Sequence, residues 1–493
     1  MTARTAVVVG GGLAGITAAV ELREAGVGVT LLEARPRLGG ATTSFSRGDL
    51  TIDTGQHVFL RCCTSYAELL TQLGVTGSVT MQDRFDVVVL SPHGRARLRR
   101  SGLPAPLHLS RSLLRYPFLS LPERLRVGRA ALALRPLDPA APGLDGQRLG
   151  DWLAARGQNE RARRNLWDLF IVSSLNIAGD DASVPLAATV LKTALLSGKD
   201  AADIGMPTVP LGELHGSAAV RLLGRLGADV RLGTKAVAAE PAPGGGYLVR
   251  VGAGADGDTA EDPERGAGEQ IAADGVVLAV PAGPAARLAG AAGVTGAARW
   301  EDLGSSPIVN VHVVYDRKVM DLPFAAAVDS PVQWVFDKTK TAGLRSGQYL
   351  ALSQSAADGD VDVPVAALRE RFLPALGQLF PAAGDARVVD FFVTRERRAT
   401  FRQAPGCSAL RPGAATSLPG LLVAGAWTDT GWPDTMEGAV RSGRTAAQEL
   451  IRALAARPTG EAAGNGARPA QAVLPGAGAV LPGAGAAGPR GQS

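Results

Sequence analysis

The chain has 493 residues, too many for one hydrophobic core and suited to two or three domains. With 46% hydrophobic and 20% charged residues its composition is that of an ordinary globular protein, and no apolar run approaches the ~18 residues of a membrane-spanning helix. The formal charge of +5 is mild, and three cysteines (Cys62, Cys63, Cys407) are too few and too poorly spaced for a disulfide framework or a zinc site, which reads as reduced thiols in a cytoplasmic protein.

The first apolar stretch is interrupted by Gly10, Gly11, Gly12 and Gly15, so it does not read as a signal peptide. TAVVVG (5–10) reads as a buried parallel strand, ITAAVELREAG as a helix ending at Gly26, and VGVTLLE (27–33) as a second strand, which together make a βαβ unit. Further along, 85–99 predicts a hairpin turning at Ser91–Gly94, and 121–135, 149–157 and 160–175 predict helices. Short strands are expected between 228 and 281, interrupted by an acidic, Gly-rich insertion over 253–269 that reads as an exposed loop. Strands are also expected at 308–315, 349–355, 387–394 and 421–425, the last feeding a helix from Thr435 to about Ala455. The final ~37 residues, rich in Gly, Ala and Pro, cannot bury enough apolar surface to offset ordering entropy and read as disordered.

Gly-x-Gly-x-x-Gly occurs at Gly10–Gly15, 252–257 and 483–488, but only the first match joins a strand to a helix. There Gly10 permits the tight turn, Gly12 lets the backbone approach a pyrophosphate and Gly15 allows close helix packing, with Ala14 expected among the cofactor-binding residues of the same stretch. Glu33, 18 residues after Gly15 at the end of the second strand, is placed to accept hydrogen bonds from ribose hydroxyls. The segment binds a dinucleotide. EARPRLGGA (33–41) then adds Arg35, Arg37 and the Gly39–Gly40 pair, a second close backbone approach with cations beside it, as a larger two-sided cofactor requires.

At this point the chain resembles the flavin-dependent amine oxidase and phytoene desaturase superfamily, which implies an α/β fold. A Rossmann-like FAD domain would be joined to a discontinuous substrate domain of mixed sheet and helices. LLVAGAWTDTGWPDTMEGAVRSGRTAA (421–447) resembles the superfamily's C-terminal flavin motif, which implies that Gly425, Thr435 and Met436 contact the cofactor. The amides of that helix start would stabilise negative charge on the flavin ring. One departure is Ala426, where the superfamily usually has Asp; weaker flavin binding or compensation by Asp429 or backbone groups is expected. By the same resemblance Val237 in TKAV (234–237) offers its backbone to adenine.

DTGQHVFL (53–60), GMPTVPLGEL (205–214) and WTDTGWPDTMEGAVRSG (427–443) bring the resemblance closer, to the bacterial hydroxysqualene dehydroxylases, over about residues 4–455. That family converts hydroxysqualene to squalene, a C30 isoprenoid, with FAD. Gly55, Gln56 and His57 then flank the flavin, and His57, Asp429 or Asp434 would donate the proton that lets hydroxide leave; for His57 a role in shaping the ring pocket stands beside that reading. The resemblance leaves open a phytoene-type desaturase or isomerase, an amine oxidase, and a non-catalytic prenyl-lipid carrier. The electron donor is open between a free nicotinamide and a partner reductase.

The implied FAD domain comprises 1–75, 205–285 and 415–456, and the substrate domain 76–204 and 286–414. The histidines show no HxxxH or HxxE spacing and the cysteines no CxxC, so no metal site is expected, and no GxSxG elbow supports a serine triad. The stretch 94–135 carries ten arginines and one acid, Glu123, interleaved with Leu, Tyr116 and Phe118. It reads either as a peripheral membrane contact or as a solvated face of an Arg-rich protein. No recognised nucleic-acid module accompanies it.

Overall fold

Strand β1 (Thr5–Val9) buries its last four residues, as a central parallel strand requires. Helix α1 (Leu13–Glu24) follows, buried on nearly all sides because it lies between the sheet and the last helix, α4 (Met436–Ala456). Small residues make that approach close: a Cβ at Gly443 of α4 would overlap the carbonyl of Ala14.

The structure is a computed structural model and describes residues 4–253 and 269–456, which belong to one compact unit. The tail, the interior of the acidic insertion, the match at 483–488 and most of that at 252–257 lie outside the described residues.

With β2 (Gly28–Glu33), β3 (Asp229–Leu232), β4 (Gly275–Leu278) and β5 (Leu421–Val423), β1 forms an all-parallel sheet in the order β3-β2-β1-β4-β5. Strand order reverses at β1, and Val9, Leu32, Leu278 and Val423 are paired in register. Gly10, Glu33, Ala279 and Gly425 therefore emerge at one carboxyl edge, where open α/β sheets bind their ligands. A three-stranded antiparallel sheet (Thr234–Pro241, Tyr247–Ala253, Gln270–Ala273) inserts between β3 and β4.

A second, seven-stranded sheet runs in the order Val388–Thr400, Ser306–Tyr315, Gln348–Gln354, Trp334–Asp337, Phe324–Ala327, Asp86–Ser91, Gly94–Arg99. All its pairs are antiparallel except Phe324–Ala327 with Asp86–Ser91. The parallel sheet draws only on segments assigned to the FAD domain, the seven-stranded sheet only on those assigned to the substrate domain. Phe59–Leu60, Ile204–Pro207 and Val79–Met81 form a small sheet drawing on both.

Boundaries depart from expectation where local backbone demands it. The strand expected over 421–425 stops at Val423, because Gly425 turns to φ 145°. The strand expected over 387–394 continues to Thr400, carried by its long antiparallel partner Ser306–Tyr315. The hairpin Ser44–Arg47 with Leu50–Asp53 was not anticipated; its burial pattern is too irregular to alternate in sequence, and Gly48 at φ 56° turns it.

Candidate active site

At the edge of the parallel sheet two glycine loops meet. A Cβ at Gly10 (φ 104°) would overlap the Ala279 carbonyl, and one at Gly15 would overlap the Gly10 carbonyl, so both glycines are required by protein packing alone. Gly12 differs: the nearest atom to a Cβ there is Gly40 Cα at 3.9 Å, so the space it faces is open. Gly40 (φ 57°) sits directly opposite, and its Cβ would come within 2.9 Å of Gly12 Cα. Gly39 N–H donates to the Gly11 carbonyl at 2.8 Å, locking the two loops together. Gly12 caps α1 with no side-chain hydrogen bond, and no acid stands in the first turn, so the helix N-terminus is left to an anion. The buried Glu33 accepts from Gly11 N–H at 2.7 Å and Arg35 N–H at 2.8 Å, which fixes its carboxylate and leaves lone pairs for further donors.

Arg35 and Arg37 are exposed, and the Arg35 carbonyl accepts from Gly233 at 3.0 Å. Val237 falls at the register shift between Ala236 and Ala238, so its backbone steps out of the ladder with Tyr247–Ala253.

A second cluster surrounds the DTGQH loop. Asp53 is buried and receives Ser44 Oγ at 2.7 Å, Leu211 N–H at 2.9 Å and Lys338 Nζ at 2.8 Å. Asn310, fully buried on Ser306–Tyr315, donates to the Thr54 carbonyl at 3.3 Å. Here Thr43 Oγ1, Gln56 Nε2, His57 Nδ1 and Asn310 Oδ1 are buried without a hydrogen-bond partner. Two of these orphaned atoms lie on the Gly55–His57 loop, one three residues past Gly40 and one on the strand Ser306–Tyr315, and a polar-edged ring would satisfy such atoms. Burial pushes the His57 imidazole below its ordinary value, with Gly55 backbone and Asp53 opposing and Lys338 assisting.

The third cluster is the WTDTGWPDT loop. Arg411, 7% exposed, donates to the carbonyls of Trp427, Ala426, Thr428 and Trp432 at 2.5 to 3.3 Å and so ties the loop into one shape. Gly425 N–H donates to Ser442 Oγ at 2.8 Å, and Thr435 caps α4 by accepting from Gly438 N–H at 3.3 Å, with Met436 next to it opening the helix. Asp434 accepts from Phe401 N–H at 2.8 Å, and burial pushes its carboxyl up to about 6, with that N–H and Arg411 opposing. Asp429 is exposed, and its carboxylate accepts from Gly431 N–H at 3.2 Å, closing a turn. Asp434 and His57 share no hydrogen-bond partner among the described residues.

The sequence reading missed Lys338, Asn310 and Arg411. Each lies on a distant segment with no motif around it, and only the pairing of the sheets brings it to the site.

An open helix N-terminus between two facing glycine loops, with a fixed carboxylate at the adjoining strand end, is the arrangement of an FAD-dependent oxidoreductase of the flavin amine oxidase type. Residues 13–451 match the family model of flavin containing amine oxidoreductases, and the chain belongs to that family. It is 30% identical to hydroxysqualene dehydroxylase of Rhodopseudomonas palustris, over 91% of this chain and 99% of that protein. It is 25% identical to 15-cis-phytoene desaturase of Narcissus pseudonarcissus, over 90% of this chain and 79% of that protein. Cyclohexylamine oxidase from Brevibacterium oxydans shares the fold at a TM-score of 0.66 and 20% identity, covering 92% of this chain and 100% of that one. FAD is the cofactor, and the residues of the two glycine loops fit it.

Proposed function

We propose that this flavoenzyme removes the hydroxyl of hydroxysqualene to give squalene, with Asp434 as proton donor. The observation that carries this reading is a half-buried carboxyl with one backbone donor, pushed up to about 6 by burial, in the loop that leads into the last helix. Support for the substrate comes from the 30% identity to a hydroxysqualene dehydroxylase over nearly the full length of both chains.

The reaction breaks one C–O bond and forms one C–H bond. Asp434 passes its proton to the departing oxygen, which leaves as water, and the carbon left behind is an allylic cation. Reduced FAD, when bound, supplies the hydride, its electrons replenished from a nicotinamide or a partner reductase. Arg411 holds the loop that carries Asp434, and His57, kept neutral by burial, shapes the ring pocket without setting a positive charge beside the cation. Asp429, exposed, is not assigned the proton transfer.

The test is anaerobic turnover of the flavin-loaded, reduced protein with hydroxysqualene, and of the oxidised protein with phytoene. Squalene with one flavin oxidised per product supports the proposal. A desaturated carotenoid from phytoene, with no squalene, would overturn it in favour of a phytoene-type desaturase, the reading that the 25% identity to such an enzyme favours.

A further inference from the structure

We infer that helix α3 (Leu121–Leu134), with the segment just before it, is a docking surface for an anionic lipid bilayer. Leu121, Leu125 and Leu132 are 56%, 58% and 53% exposed, and their spacing of four and seven residues puts them on one face of α3. The opposite face holds Glu123, Val127, Ala130 and Leu134, all buried in the protein. The leucine stripe thus points straight out from the body of the protein. Leu103, Leu107 and Leu114 of the preceding segment are exposed by about the same amount, 48% to 55%. Isolated exposed leucines need no explanation, but eleven large exposed hydrophobics are found among the described residues and six fall in these 30 positions.

Charge selects the partner. Arg111, Arg115, Arg126, Arg129 and Arg135 are exposed on the same elements, and none forms an ion pair with a described residue. The only acid between 94 and 135, Glu123, is 4% exposed and turned inward. It closes the capping box with Ser120 and accepts from Asn159 at 2.6 Å and Arg161 at 2.6 Å. These elements therefore present leucines and unpaired cations, and no exposed carboxylate of their own. A soluble protein partner would be expected to meet such cations with paired acids around a drier core. A bilayer offers both layers at once: phosphates at the depth of the guanidinium groups and acyl chains at the depth of the leucines. Among the described residues no helix is long and apolar enough to cross a membrane. The inference stands on these side chains and not on the proposed reaction.

The test is co-sedimentation of the full, flavin-loaded chain with vesicles of phosphatidylcholine alone or with phosphatidylglycerol. Two variants accompany it: Leu121→Gln/Leu125→Gln/Leu132→Gln, and Arg111→Gln/Arg115→Gln/Arg129→Gln. Both alter exposed side chains, and an unchanged flavin spectrum and melting temperature verify their fold. The wild type should bind the anionic vesicles, more weakly as salt rises. The leucine variant should lose at least roughly tenfold in affinity, and the arginine variant should lose the preference for anionic lipid. No binding to anionic vesicles at about 50 mM salt overturns the inference, as does binding that neither variant weakens. So does a wild-type dimer, seen by sedimentation, that the leucine variant dissociates while vesicle binding is absent; a second copy then covers this face.

Discussion

Asp434 accepts the backbone N–H of Phe401 at 2.8 Å, and the Phe401 ring in turn lies under the guanidinium of Arg411, 5.1 Å from its centroid. Burial outweighs both stabilising influences and raises the Asp434 carboxyl to about 6. A proton donor must be protonated in the free enzyme, so kcat/KM should fall about tenfold per pH unit above about 6. Asp434→Asn should lower kcat by roughly 10²-fold or more and abolish that limb, with the flavin spectrum unchanged. A variant that keeps both the rate and the limb places the acid elsewhere. Stability should follow the same group. A carboxyl whose pKa is raised in the folded state costs stability once the unfolded carboxyl ionises, so the wild type loses ground to Asp434→Asn as pH rises from about 4, and the loss is complete above about 6. Melting temperatures of the two proteins across that range measure it.

Arg411 acts on the same proton from a distance. It holds four carbonyls of the 426–432 loop and favours the ionised form of Asp434. Arg411→Gln removes a buried cation, so the falling limb of the pH profile should move to higher pH. The same change strips several buried carbonyls of their donor, which should cost at least about 2 kcal/mol of stability. Lysine is not an equivalent replacement, because one ammonium cannot reach the carbonyls a planar guanidinium forks between. If Arg411→Gln lowers the melting temperature but leaves the pH limb in place, Arg411 supports the loop without tuning Asp434.

The facing glycines Gly12 and Gly40 should respond differently to a single added methyl. At Gly40 the Cβ meets Gly12 Cα at 2.9 Å on a backbone at φ 57°, so Gly40→Ala strains the protein itself and should lower the melting temperature of the apo-protein. At Gly12 the Cβ meets nothing closer than 3.9 Å, so Gly12→Ala should fold as well as the wild type. It should nonetheless bind FAD at least roughly tenfold more weakly, because the methyl occupies the approach the pyrophosphate needs. Flavin fluorescence titration beside apo-protein melting separates the two. Equal FAD affinity in Gly12→Ala and wild type would remove Gly12 from the cofactor site.

What the sequence revealed and what it hid divide along a physical line. The glycine turn, the strand end at Glu33 and the helix start within 421–447 were legible as local structure, because each is set by residues within a few positions of one another. The parallel sheet followed, since β-branched runs such as Val7–Val9 and Val276–Leu278 read as buried strands without any partner in view. Lys338, Asn310 and Arg411 were not legible. Lys338 reaches Asp53 across 285 positions of chain, and only the register of Trp334–Asp337 in the seven-stranded sheet sets it there. Distinguishing Asp434 from Asp429 also required the fold. The two residues read alike in WTDTGWPDT, yet one is sheltered against Phe401 and the other faces solvent.

The pair that closes the ring-edge cluster, Lys338 and Asp53, gives the last test. Their side chains are 14% and 2% exposed and meet at 2.8 Å, so removing either partner strands the other in a poorly solvated place. Lys338→Met should cost about 3–5 kcal/mol, because Asp53 keeps only the neutral donors Ser44 and Leu211. Adding Asp53→Asn to that variant should recover part of the loss, since an amide needs no counter-ion. His57 reports the electrostatics independently. Its pKa is lowered in the folded state, so the wild type loses stability as pH falls through about 6.5, where the unfolded imidazole takes up its proton. Lys338 contributes to that lowering, and Lys338→Met should raise the His57 pKa and flatten the acid-side loss. Melting temperatures between about pH 5 and pH 8, with the His57 ring protons followed by NMR, test both effects. Equal melting temperatures for Lys338→Met and wild type at about pH 8 would show that the ion pair contributes nothing net, and that hydrogen bonds from Ser44 and Leu211 alone hold Asp53 beneath the loop.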